Sequence, residues 1–166
     1  TGLTKPGYNF VGWSTEQNGT AFSVLTPTPG NDITLYAQWI ENYTITYNLD
    51  GGIANNKVSY NIETSTFTLN NPTRTGYMFA GWKLKDGTVK GASTSVSCNY
   101  TNLGVYSGTS TAITAQWSAN KYTVSFDQNG GTGGQTSSVT ATYDSPMPTP
   151  ITLPTRAGYT FAGYYD

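Results

Sequence analysis

Thr73-Arg74-Thr75-Gly76-Tyr77-Met78-Phe79-Ala80-Gly81-Trp82 decides the fold, because the chain writes it three times. The first version is Thr4-Lys5-Pro6-Gly7-Tyr8-Asn9-Phe10-Val11-Gly12-Trp13, and the third is Thr155-Arg156-Ala157-Gly158-Tyr159-Thr160-Phe161-Ala162-Gly163-Tyr164. A turn-forming glycine opens each version. Tyr77 and Phe79 then fall on one face of a strand, since side chains alternate along an extended chain. Gly81 removes a side chain two residues later, the mark of a bulge or a close backbone approach. The rings that follow are read as a packed interior. They are Tyr8, Phe10 and Trp13 in the first version, Tyr77, Phe79 and Trp82 in the second, and Tyr159 and Phe161 in the third. A half-exposed aromatic platform for a sugar ring is the competing reading.

Two further blocks recur. Ile33-Thr34-Leu35-Tyr36-Ala37-Gln38-Trp39 returns as Thr111-Ala112-Ile113-Thr114-Ala115-Gln116-Trp117. Leu35, Ala37 and Trp39 share one face, as do Ile113, Ala115 and Trp117, so Trp39 and Trp117 join the signature core. The apolar inward face of this block predicts the last and central strand of a unit. Tyr43-Thr44-Ile45-Thr46-Tyr47-Asn48-Leu49-Asp50-Gly51-Gly52 returns as Tyr122-Thr123-Val124-Ser125-Phe126-Asp127-Gln128-Asn129-Gly130-Gly131. Its period of two, with β-branched and aromatic residues inward, predicts a half-buried strand. The Gly and Asn that close it suit a turn, and return strands are expected at Lys57–Tyr60 and Ser138–Tyr143.

Trp39 and Trp117 are 78 residues apart, and Tyr43 and Tyr122 are 79 apart. A period near 80 exceeds the roughly 20–50 residues of solenoid repeats. Each unit is therefore long enough for its own core. Within a unit the order is Tyr43-type block, signature, Trp39-type block. Only residues 41–118 carry all three in order. Residues 1–40 read as the C-terminal half of a preceding repeat and 119–166 as the N-terminal half of a following one, joined by links as short as Ser118-Ala119-Asn120. The expected class is mainly β or α+β, in tandem small domains. Helix evidence is confined to Asn61–Leu69, room for one or two turns capped by Asn61.

Composition narrows the chemistry. The 166 residues carry no histidine and one cysteine, Cys98, so neither a His-based nucleophile pair nor an intrachain disulfide is possible. Charged residues are 10% of the chain and the net charge is −1, which speaks against a nucleic-acid partner. No stretch approaches the roughly 20 apolar residues of a membrane span, and the start has no leader pattern. No catalytic, cofactor-binding or metal-binding residues are assigned, and no cofactor is expected.

Pro72-Thr73-Arg74-Thr75-Gly76-Tyr77-Met78-Phe79-Ala80-Gly81-Trp82 followed by Ile113-Thr114-Ala115-Gln116-Trp117 resembles the Listeria–Bacteroides repeat, the B-repeat type associated with internalin B. The resemblance covers nearly the whole chain. It implies a small β-grasp-like fold: a four-stranded, mixed sheet with at most a short helix per unit. It also implies non-catalytic tandem arrays on secreted or wall-anchored bacterial proteins, acting as spacers and as adhesion or host-interaction modules. The implied location is extracellular, at the cell surface or wall. The implied partners are neighbouring repeats and a host glycan or surface protein. The middle unit departs from the pattern: 30 residues separate Trp82 from Ile113, against 21 between Trp13 and Leu35. The excess falls in Gly87–Gly108 and predicts a longer loop or an added hairpin.

Remaining candidates read as structural. A reactive Cys98 needs a nearby base or cation, and none is evident, so a small buried hydrophobe is expected. Asp127-Gln128-Asn129-Gly130 opens like a calcium loop, but no glutamate follows at the required spacing. Leu153-Pro154-Thr155-Arg156-Ala157-Gly158 resembles a sortase signal only superficially and belongs to the repeat. Lys5, Arg74 and Arg156 stand before the signature glycine as weak candidates for an anionic ligand, with a solvated turn as the alternative. Two flanking half-units would leave open sheet edges; head-to-tail self-association through them by strand addition is one expectation, with trimming of both ends from ordered neighbours, or joining of the two halves within one chain, as the alternatives.

Overall fold

The structure, a computed structural model, describes residues 2–22, 26, 30, 32–103 and 111–165. It opens with β1 (Tyr8–Ser14) and β2 (Tyr36–Glu41), followed by β3 (Tyr43–Asn48), β4 (Ser59–Tyr60), β5 (Phe67–Thr68) and β6 (Tyr77–Lys83). Next come β7 (Val89–Gly91), β8 (Ser97–Cys98), the helical turn α1 (Tyr100–Leu103) and β9 (Thr111–Ala119). The chain ends with β10 (Lys121–Val124), β11 (Thr132–Gly133), β12 (Val139–Thr142) and β13 (Pro154–Thr155).

Five strands form one sheet in the order β4-β3-β9-β6-β7. β3 runs parallel to β9 while the other neighbours are antiparallel, so the sheet is mixed and the architecture mainly β. The alternation read in the sequence is visible in β3: Tyr43 and Ile45 are buried and Tyr47 half-buried, while Thr44, Thr46 and Asn48 are exposed. β9, from the Trp39-type block, is the central strand, with Thr111, Ile113 and Ala115 buried. Two anchoring hydrogen bonds tie its ends down. Tyr60 Oη and Thr111 Oγ1 lie 3.2 Å apart, and Trp117 Nε1 donates to the Leu49 carbonyl at 3.0 Å.

The signature strand β6 carries a bulge between Phe79 and Gly81. The extra residue re-phases the strand, so that Phe79 and Trp82, three apart, turn to the same interior. Their rings meet edge to face at 5.2 Å, and Phe79 meets Trp117 in the same way at 5.6 Å. β1 and β2 repeat this pair, with the bulge between Phe10 and Gly12.

Three features differ from the expectations. The return strand after Asp50-Gly51-Gly52 is two residues, Ser59–Tyr60, because the chain first makes an isolated bridge from Ile53 to Thr73. Asn61–Leu69 is not a helix. The Asn61 side chain accepts the Glu63 N–H at 3.0 Å, and one turn closes from Thr64 N–H to the Asn61 carbonyl at 3.1 Å. The β-branched threonines that follow favour extension, and Phe67–Thr68 pairs with Ser97–Cys98 instead. The sheet has five strands rather than the four implied by the resemblance, because part of the Gly87–Gly108 insertion folds as β7 on the edge of β6 and part as β8 and α1. Residues 104–108 of that insertion lie outside the described residues.

A single residue links adjacent sheets. The Asn42 N–H, between β2 and β3, donates to the Gly7 carbonyl at 2.7 Å. The Asn120 N–H, between β9 and β10, donates to the Gly76 carbonyl at 2.9 Å. Gly7 and Gly76 hold the same place in the signature, so the junction itself is repeated. The second junction adds a ring. Tyr143 packs edge to face on Tyr77 at 5.5 Å, a Cβ on Gly76 would overlap it, and Tyr77 Oη donates to Asp144 at 3.2 Å.

Candidate functional site

The candidate ligand cations are the first residues to place. Lys5 Nζ sits 3.7 Å over the centre of the Tyr8 ring, Arg74 Cζ 3.9 Å over Tyr77, and Arg156 Cζ 4.3 Å over Tyr159. One local geometry produces all three. The tyrosine N–H bonds back to the carbonyl of the cation, three residues earlier, at 3.0, 3.2 and 3.1 Å. Gly76 (φ 76°) takes the left-handed third position of that turn, as a type II turn requires. The turn thereby lays the cation on the ring, a favourable cation–π contact.

The guanidinium groups have a second task. Arg74 Nη1 bonds Asp50 Oδ2 at 2.8 Å, and Arg156 Nη1 donates to the Asn129 carbonyl at 3.2 Å. Asp50 and Asn129 are matching residues of the turns that close the Tyr43-type block, both with positive φ. The arginine thus staples the signature turn to the turn after the first strand. These are intrachain contacts.

The aromatic residues of the three signatures share one arrangement but not one burial. In the five-stranded sheet Trp82 is 1% exposed, and Phe79 and Trp117 are partly buried against the core. Tyr77 is half-buried. Phe10 and Trp13 are each 39% exposed, Tyr159 is 68% exposed and Phe161 36%. Tyr8 and Trp39 are intermediate. The edge-to-face contacts persist regardless: Phe10 with Trp13 at 5.6 Å and with Trp39 at 5.5 Å, and Phe161 with Tyr164 at 5.1 Å. The flanking signatures therefore depart from the expected core. Their rings lack the strands that cover Phe79 and Trp82 from the other side of the central strand.

A cleft of about 870 Å³ opens in the C-terminal part between Val124–Asn129 and Tyr159–Tyr165, with Pro154–Arg156 at its floor. Phe126 and Tyr164 meet across it at 4.9 Å. The Tyr164 hydroxyl is buried and finds no hydrogen-bond partner among the described residues.

Cys98 is 2% exposed within the core, and burial pushes its thiol up to about 11. A thiol held protonated is a poor nucleophile. A thiol reagent at mildly alkaline pH should leave Cys98 untouched in the folded chain and modify it fully in denaturant. Fast modification of the native protein would show that its surroundings open. Tyr47 is pushed up to about 12 by burial, with the neighbouring Cys98 thiol adding to the shift, and its hydroxyl donates to the Lys57 carbonyl. The Tyr43 hydroxyl, raised further by burial and by its bond to Glu41, is likewise structural. Asp127 accepts the Asn129 N–H at 2.8 Å, closing a turn. No group of three potential metal ligands occurs among the described residues.

The expected link Ser118-Ala119-Asn120 shortens to Asn120 alone, since Ser118 and Ala119 belong to β9, and Asn42 carries no role in the sequence reading. The one signal they share is an asparagine shortly ahead of the Tyr43-type block, one residue before Tyr43 and two before Tyr122.

The family model described as the Listeria-Bacteroides repeat domain matches residues 1–38, 43–107 and 122–166. Among curated proteins, the chain is 31% identical over 164 residues to "Putative membrane protein" of Evansella cellulosilytica, covering 98% of this chain and 23% of that one. It is 31% identical over 182 residues to "Putative Gly-rich membrane protein" of the same organism, covering 99% and 20%. It is 41% identical over 85 residues to Internalin H of Listeria monocytogenes, covering 49% and 15%. The chain thus spans less than a quarter of the length of each of these relatives. No solved structure matches it.

Proposed function

This chain belongs to the Listeria–Bacteroides repeat family, and from that premise we propose that it serves as a non-catalytic spacer and adhesion module of a bacterial cell-surface protein. The observation that carries the reading is the repeated cation–tyrosine turn. The polar groups of the signature that stand out in the sequence, Lys5, Arg74 and Arg156, are each spent on holding the chain's own turns together. The single-residue junctions at Asn42 and Asn120 suit a spacer, because they fix each sheet to the next by a backbone hydrogen bond. The division into a C-terminal half-repeat (1–40), a complete repeat (41–118) and an N-terminal half-repeat (119–166) is part of the proposal. So is an extracellular location. No helix among the described residues is long and apolar enough to cross a membrane.

A second reading is supported by the exposed rings: Phe10 and Trp13 could present a stacking platform to a glycan or protein. A glycan array with tryptophan-fluorescence titration separates the two. The spacer reading expects no saturable response to sulfated or mucin-type glycans. Saturable binding that disappears in Trp13→Ala would replace it with the binding module.

A further inference from the structure

Asn-x-Thr, with x other than proline, occurs three times: Asn18-Gly19-Thr20, Asn42-Tyr43-Thr44 and Asn99-Tyr100-Thr101. In a secreted protein this triplet is an acceptor for an N-linked glycan when it lies in a surface loop. The fold treats the three differently.

Asn42 is committed. Its Nδ2 donates to Asn9 Oδ1 at 2.7 Å, its Oδ1 accepts from Asn61 Nδ2 at 3.0 Å, and its N–H bonds the Gly7 carbonyl. The next two residues already belong to β3, paired with β4. Asn99 is committed too. The Asn102 N–H donates to Asn99 Oδ1 at 3.0 Å, and the Asn99 N–H donates to Asn102 Oδ1 at 2.8 Å. Tyr100 and Thr101 are in α1, with the Tyr100 ring 5.9 Å from that of Tyr43. To reach a sugar donor, Asn42 must peel β3 from β4 and Asn99 must unwind α1.

Asn18 and Thr20 are both exposed, and neither side chain makes a hydrogen bond among the described residues. This exposure belongs to the hairpin tip itself, because the five-stranded sheet carries the same tip. Trp13 bridges Phe22 as Trp82 pairs with Lys90. In each connection a glycine N–H bonds the carbonyl three residues earlier, Gly19 to Glu16 at 3.1 Å and Gly87 to Leu84 at 3.0 Å. Asn18-Gly19-Thr20 therefore holds the place of Asp86-Gly87-Thr88. There all three residues are exposed, and a Cβ on Gly87 would meet open space.

We propose that Asn18 is the acceptor of an N-linked glycan drawn from an isoprenoid-diphosphate-linked oligosaccharide, and that the fold selects it over Asn42 and Asn99. Asn18 Nδ2 attacks C1 of the first sugar. The new N–C1 bond forms as the C1–O bond breaks, the diphosphate leaves with the electron pair, and Nδ2 gives up one proton. On this tip a bulky, solubilising group displaces no packed side chain. The site rests on the extracellular location proposed above.

The test incubates the full chain, and separately its tryptic digest, with a single-subunit oligosaccharyltransferase and a lipid-diphosphate-linked oligosaccharide. Peptide mass spectrometry then reads each asparagine. The folded chain should carry glycan on Asn18 alone, and Asn18→Gln and Thr20→Ala should each lose it. The digest, freed of the fold, should carry glycan at all three triplets. A folded chain left bare at Asn18, or modified at Asn42 or Asn99, overturns the proposal. So does a digest modified at Asn18 alone, since sequence rather than fold would then make the choice. Protease shaving of intact producing cells reads the surface location separately, so that reading and the acceptor site can fail independently.

Discussion

Replacing Trp82 with alanine should lower the unfolding free energy of the five-stranded sheet by about 3–5 kcal/mol, the range for deleting a large buried aromatic. The same change at Trp13 should cost about 1 kcal/mol, the scale of one aromatic pair contact. Both tryptophans follow the bulge glycine of the same signature, and both sit edge-on to a phenylalanine. What differs is cover. Trp82 is enclosed by Tyr47 from β3 on one side and Phe79 on the other, and is 1% exposed. Trp13 has Phe10 but no ring from a Tyr43-type strand, and 39% of it meets solvent. Urea denaturation followed by circular dichroism reads both variants. Equal losses would mean that the signature stabilises the chain through local ring contacts alone, and that burial in the sheet adds nothing.

That contrast also marks where the sequence is legible. Period and alternation are local properties, so β3, β6 and β9 could be placed from residues within a few positions of one another, and the bulge followed from Gly81. The central place of β9 followed from the apolar character of Ile113, Ala115 and Trp117. Burial is not local. Nothing in Tyr8-Asn9-Phe10-Val11-Gly12-Trp13 itself distinguishes it from the signature that is covered, because the covering strand comes from another block. The insertion at Gly87–Gly108 was opaque for a different reason. β7 and β8 are three and two residues long, too short for a period to show, and their partners Gly81–Lys83 and Phe67–Thr68 are fixed only by tertiary contact. The threonine-rich stretch after Asn61 offered a cap signal that the structure satisfies with one turn, after which strand pairing prevails. At the candidate site, cation and tyrosine were both evident, but their stacking depends on a turn whose glycine has positive φ. The sequence supplied the turn without the contact it enforces.

Among the described glycines, Gly81→Ala should be the most damaging single-methyl change, costing about 3 kcal/mol or more, with Gly87→Ala as its measure. Gly87 has φ 85° and open space where a Cβ would project, so alanine there meets only the conformational penalty, about 1–2 kcal/mol for a left-handed residue. Gly81 has φ 151°, and a Cβ would overlap the backbone carbonyl of Lys90 on β7. Backbone cannot rotate aside as a side chain does, so the methyl must either push β7 off β6 or flatten the bulge. Losing β7 breaks the pairing of Gly81, Trp82 and Lys83 with Gly91, Lys90 and Val89. Flattening the bulge turns Trp82 to the opposite face and empties the core of its largest fully buried side chain. Either route adds to a strain that itself amounts to about 1–3 kcal/mol. Gly87 lies in the connection between β6 and β7, so the urea midpoints of the two variants report on the same hairpin. Amide exchange at Val89–Gly91 separates the routes: rapid exchange in a variant with intact near-ultraviolet tryptophan signal means β7 has left, while loss of that signal means the bulge has gone. If Gly81→Ala were no worse than Gly87→Ala, the close approach of β7 would not constrain residue 81, and the recurrence of glycine at that place in the signature would need another cause.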